Sequence, residues 1–116
     1  MTLYGIKNCD TVKKSRAWFA GRGIDIPFHD LRADGLQADV LRRWLAAAGA
    51  ARLVNRSGTT WRGLTPAQQA ITDEDALVDL LLAQPTLIRR PVVQIGDRIT
   101  VGFEPDTWAE LLEASA

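Results

Sequence analysis

One side chain can act as a strong nucleophile near neutral pH: Cys9, the only cysteine in 116 residues. It stands in K-N-C-D-T-V-K-K, residues 7 to 14, among the chain's only lysines, Lys7, Lys13 and Lys14. At the start of a helix, unpaired N–H groups and the helix dipole point at such a sulfur and favour thiolate over thiol. Lys13 lies one helical turn on and would add positive charge, while Lys7, beside Asn8, would add to the field from the preceding loop. The fourth position of a C-x-x-C frame is Val12, which excludes a dithiol mechanism, and a lone cysteine excludes any disulfide within the chain. The alternative is an inert spacer, since free cysteine is among the most buried residue types. One Cys, one His and scattered acids do not make a metal-ligand set, so no metal site is expected.

Two further groups could meet an anion. Arg89-Arg90-Pro91 puts a guanidinium beside an X–Pro bond, and Arg90 could hold an oxyanion through two parallel hydrogen bonds. The alternative is a surface arginine pair before a trans proline. N-R-S-G-T-T-W-R, Asn55 to Arg62, offers Arg56, Arg62 and three hydroxyls as an anion-binding loop or lid, yet turns favour these same residues. His29 is the only histidine and reads as structural, because no spacing in the sequence pairs it with a nucleophile. Gly21-Arg22-Gly23 follows a helix rather than a strand, so it is no nucleotide loop.

The elements that must place these groups follow from periodicity. Thr2 to Ile6 reads as a strand, with Asn8 or Asp10 as the cap of a helix that ends at Gly21 to Gly23. Ile24, Ile26 and Phe28 alternate with polar residues as a second strand, and Pro27 marks its edge or start. This makes a βαβ unit. Leu36, Val40, Leu41, Trp44, Leu45 and Ala48 recur at helical spacing up to Gly49. Residues 52 to 65 read as turn-rich and basic. Thr65-Pro66 opens a short helix, and T-D-E-D from Thr72 reads as a capping box for another that stops at Pro85. Val92 to Ile95, a Gly96-Asp97 turn and Ile99 to Val101 form an antiparallel hairpin, and Glu104-Pro105 opens the last helix.

The order βαβ, helices, ββα is that of an α/β thioredoxin-like fold: a mixed four-stranded sheet, helices on both faces, and a helical insertion at about 34–84. It predicts a single domain over residues 1–116. In that topology a cis Arg90–Pro91 bond would put a backbone bend beside Cys9, where an extended peptide or glutathione backbone could pair.

Composition narrows the function classes. Arg and Lys number 14, Asp and Glu number 14, and the net charge is zero, so no global basic field points to direct nucleic-acid binding. The apolar fraction of 47% fits a globular protein rather than a disordered one. The N-terminus has no export-type apolar region, and no apolar run approaches the roughly 20 residues that span a bilayer. The expected compartment is the cytoplasm, which keeps thiols reduced.

The chain resembles the arsenate reductase-like (ArsC/Spx/YffB) family, most of all its YffB-type branch. The matching segments are L-Y-G-I-K-N-C-D-T-V-K-K at residues 3 to 14, F-H-D at 28 to 30, D-G-L at 34 to 36, G-T-T-W-R at 58 to 62, I-T-D at 71 to 73 and R-R-P at 89 to 91. The resemblance implies a thioredoxin-like fold with a cis-proline before the third strand. It matches Cys9 to a catalytic cysteine and Arg90 to an oxyanion-binding arginine. The family's arsenate reductases carry C-x-x-S-R where this chain has Val12 and Lys13, and two more of their arginines fall near Asn55, beside Arg56, and near Gly102. With these departures the resemblance implies a glutathione-dependent monothiol reductase; taken with the reading of the residues themselves, Cys9, Lys13 and Arg90 are the expected catalytic set, and Lys7, Asn8, Arg56, Arg90 and Pro91 are expected to meet glutathione or an anion. Glutathione is the co-substrate, glutaredoxin a possible partner, and no tightly bound cofactor is expected. Two alternatives are an arsenate reductase coupled to glutathione and glutaredoxin, and a non-enzymatic Spx-like regulator of RNA polymerase.

Overall fold

A computed structural model describes residues 1–115. Four strands, β1 (Thr2–Gly5), β2 (Phe28–Asp30), β3 (Val92–Ile95) and β4 (Arg98–Val101), form one mixed sheet in the order β2-β1-β3-β4. β1 pairs in parallel with β2 and antiparallel with β3, and β3 with β4 is an antiparallel hairpin. The arrangement is thioredoxin-like, a mixed α/β sheet flanked by helices, as the element order predicts.

The chain divides into two compact units: Met1–Gly35 with Arg90–Ala116, and Leu36–Arg89. The first holds the sheet with α1 (Asp10–Gly21) and α7 (Pro105–Ala114). Leu3, Val93 and Ile95 share one face of the sheet and form a single apolar cluster with Val12 and Phe19 of α1, Ile26, and Trp108 of α7. Trp108 is fully buried, and its indole N–H is satisfied by Thr100 Oγ1 at 2.7 Å. β2 begins directly after Pro27, later than the alternation of Ile24 and Ile26 suggests, and it is an edge strand. Both positions tolerate a proline. At the hairpin turn Gly96 has φ +62°, a conformation that costs glycine nothing.

The second unit is helical: α2 (Ala38–Ala48), three four-residue helices α3 (Ala50–Leu53), α4 (Thr59–Arg62) and α5 (Pro66–Gln69), then α6 (Glu74–Ala83) and a 3-10 turn at Pro85–Leu87. Arg42 of α2 reaches Glu74 at 3.0 Å and Asp75 at 2.6 Å on α6. Within the unit, the segment after α3 is tied to the segment before Arg90 where Val54 bridges Ile88 in antiparallel fashion. The expected Thr65-Pro66 start is present as a full capping box with Gln68. The next cap falls one residue later than T-D-E-D implies: Asp73, not Thr72, accepts the N–H of Ala76. Residues 52 to 65 are more regular than their turn-rich composition predicts, because α3 and α4 are single turns too short to leave a helical period.

Candidate active site

The first helix begins one residue away from either expected cap. Its N-cap is Cys9, with extended backbone (φ −93°, ψ 125°), and its first helical residue is Asp10. Cys9 is half-buried, and its carbonyl accepts the N–H of Lys13 at 3.0 Å, the first bond of α1, while its side chain closes no capping hydrogen bond. Burial pushes the Cys9 thiol up, but the N–H of Val12, the hydrogen bond and charge of the Arg90 guanidinium, and the N–H of Thr11 together hold it below its ordinary value. These are the forces that stabilise a thiolate at a helix N-terminus.

Arg90 rather than Lys13 is the cation that acts most strongly on the sulfur. Lys13 is exposed and not among the groups with the largest effect. Arg90 reaches the sulfur from the segment just before β3, and Lys13 stays exposed on α1. The Arg90–Pro91 bond is cis, and Pro91 is buried with its carbonyl accepting the N–H of Gly102 at 2.8 Å. Lys7 and Asn8 are exposed in the loop between β1 and α1. Lys7 contributes its backbone there, donating to Asp30 Oδ2 at 3.1 Å. Lys14 and Arg16 lie over the rings of Phe103 and Phe28.

Val12, which breaks C-x-x-C, is 1% exposed and packs in the core, while its N–H faces the thiol. Gly5 makes room for it: a Cβ there would lie 2.6 Å from Val12 Cγ2. His29 has its Nε2 2.6 Å from the carbonyl of Gly35 and its ring against Tyr4, the structural role read from sequence.

Asp30 has no role in the sequence reading, although F-H-D contains it. It is 8% exposed, and its carboxylate accepts N–H groups from Arg32 at 2.8 Å and Ala33 at 2.9 Å as well as from Lys7. The N–H of Ala33 first, then those of Arg32 and Lys7, hold its carboxyl below the usual range despite burial. An Asp closing a strand before a turn signals the local bonds, but nothing in the spacing signals the bond across to residue 7.

Arg56 belongs to the helical unit. Its guanidinium lies 5.5 Å from the ring centroid of Trp61, and the two border a pocket of about 240 Å³ within that unit. Asn55 Oδ1 is engaged by Ser57, and Arg62 donates to the Ser57 carbonyl at 2.7 Å, so much of this loop's polarity is spent internally. Among the described residues no group of three or more His, Cys, Asp or Glu could hold a metal ion, and no helix is long and apolar enough to cross a membrane.

Sheet order, single thiol and helix N-terminus together define a thioredoxin-like protein compatible with thiol-based redox chemistry. The chain belongs to the ArsC family, whose profile matches residues 4–111. A solved structure of a YffB protein is 48% identical, with a TM-score of 0.90 over 96% of this chain and 97% of that one. An arsenate reductase (ArsC) related protein from Brucella melitensis is 41% identical, with a TM-score of 0.74 over 97% and 93% of the two chains. An uncharacterized protein of Haemophilus influenzae is 40% identical over 89% of this chain and 90% of its own.

Proposed function

We propose that this protein is a glutathione-dependent monothiol reductase with Cys9 as its nucleophile. The observation that carries the reading is the place of the chain's only sulfhydryl, at the N-cap of α1 and beside the Arg90 guanidinium, surroundings that lower its pKa. With a mixed disulfide R–S–S–G, the Cys9 thiolate attacks the glutathione sulfur. A Cys9–S–S–G bond forms, and the substrate leaves as R–S⁻, which takes a proton from water. A second glutathione thiolate then attacks the glutathione sulfur of that adduct, releasing oxidised glutathione and the Cys9 thiolate. The net change is R–S–S–G plus glutathione to R–SH plus oxidised glutathione. The resolving thiol must come from outside because the chain supplies none.

Arg90 balances the charge on Cys9, and the proposal gives it the further task of meeting a carboxylate or oxyanion of the incoming group. Lys7, Asn8, Pro91 and Lys13 complete the proposed binding set within the sheet unit, with Lys13 subordinate to Arg90; Arg56 is a separate anion-binding candidate within the helical unit. The reducing cytoplasm is the compartment that suits a thiol without an internal partner.

The test is reduction of a glutathionylated substrate, coupled to glutathione reductase and NADPH. The wild type turns over, and Cys9→Ser does not. Turnover retained in Cys9→Ser overturns the reading. Turnover of arsenate with glutathione and glutaredoxin, in the absence of disulfide reduction, moves the assignment to arsenate reductase.

A further inference from the structure

Asp30 closes β2 opposite Gly5, the last residue of β1, and the Leu31 N–H donates to the Gly5 carbonyl at 2.8 Å. A buried carboxylate is costly unless several donors meet it. Here the two oxygens divide their work. Oδ1 takes the N–H groups of Arg32 and Ala33, its own turn, and Oδ2 crosses to the N–H of Lys7, 23 residues away in sequence. Of the two carboxylate oxygens, only Oδ1 serves the turn. The remaining oxygen fixes the loop that leads into Cys9, which is closed again where the Cys9 N–H donates to the Ile6 carbonyl at 3.2 Å.

We propose that Asp30 is a positioning residue for the thiol: its Oδ2–Lys7 bond holds the loop so that the Cys9 sulfur faces the N–H groups of α1 and the Arg90 guanidinium. The proposal rests on the reading of Cys9 as a reactive thiolate. The charged groups beside the carboxylate are Arg32 in its turn and Asp34, whose Oδ2 accepts the Asp30 N–H at 2.9 Å; Lys7 contributes its backbone N–H.

Asp30→Asn separates the two tasks. Asn is nearly the same size, and its single oxygen keeps the two turn bonds. Its amide nitrogen then meets the Lys7 N–H, donor against donor. The measurement is the pH profile of Cys9 alkylation by iodoacetamide. The expected result is a midpoint about one pH unit above wild type. Below both midpoints the rate falls about three- to fourfold, since tenfold less thiolate is partly offset by higher intrinsic nucleophilicity. Ile26→Val, which trims the same apolar cluster without touching the loop, lowers stability and leaves the midpoint in place. A folded Asp30→Asn with the wild-type midpoint overturns the proposal, as does an equal shift in Ile26→Val. An ordinary midpoint in the wild type instead overturns the reading of Cys9 itself. Should Asp30→Asn not fold, NMR of the wild type decides: the Lys7 amide shift follows the Asp30 carboxyl titration on acidification, and a Lys7 amide indifferent to it overturns the proposal.

Discussion

At the scale of the residue, the sulfur of Cys9 is governed by opposing effects: burial resists the thiolate, and two N–H groups with one guanidinium favour it. Removing the guanidinium shows which side Arg90 is on. Arg90→Gln raises the Cys9 alkylation midpoint, by about one pH unit, and Lys13→Gln moves it by only a few tenths, read from rate against pH. The lowered thiol also links to stability. An acid whose folded pKa is depressed adds stability that is complete above its unfolded value, about 8.5 for Cys, and is lost as pH falls through the folded value. The stability gap between wild type and Cys9→Ser therefore widens as pH rises toward about 9, measured by urea unfolding at successive pH values.

At the scale of the element, α1 must start at residue 10 and lie close against β1. Gly5 allows that approach, because its missing Cβ leaves space for Val12. Gly5→Ala pushes α1 away, costs about 1–3 kcal/mol of stability and raises the Cys9 midpoint, since the Val12 N–H moves with the helix. Trp108→Phe strands the hydroxyl of Thr100 beneath α7, for a loss of about 1–3 kcal/mol in urea unfolding, and leaves that midpoint unchanged. The main elements were legible because their apolar residues repeat at spacings of two or of three to four. The single-turn helices α3 and α4 were not, since four residues carry no period. Cys9 was legible as a helix-start thiol from its type and place. The rank of Arg90 over Lys13 and the Asp30–Lys7 bond were not, because each depends on which strands become neighbours.

At the scale of the whole molecule, the single thiol limits the chemistry. A protein with one cysteine in 116 residues can form a mixed disulfide but cannot resolve it internally. Incubation with oxidised glutathione alone leaves one glutathione per chain on Cys9, and added reduced glutathione restores the free thiol, both read by intact-protein mass. The zero net charge supplies no broad field to lower the thiol pKa, so activation falls to the groups in contact with the sulfur.

The most direct test of that activation is the titration of the wild-type thiolate by its absorbance near 240 nm, with Cys9→Ser subtracted. A midpoint clearly below the free-cysteine value of about 8.5 is the predicted result. A midpoint at or above that value would contradict the account, since it would show that burial outweighs the α1 N–H groups and Arg90.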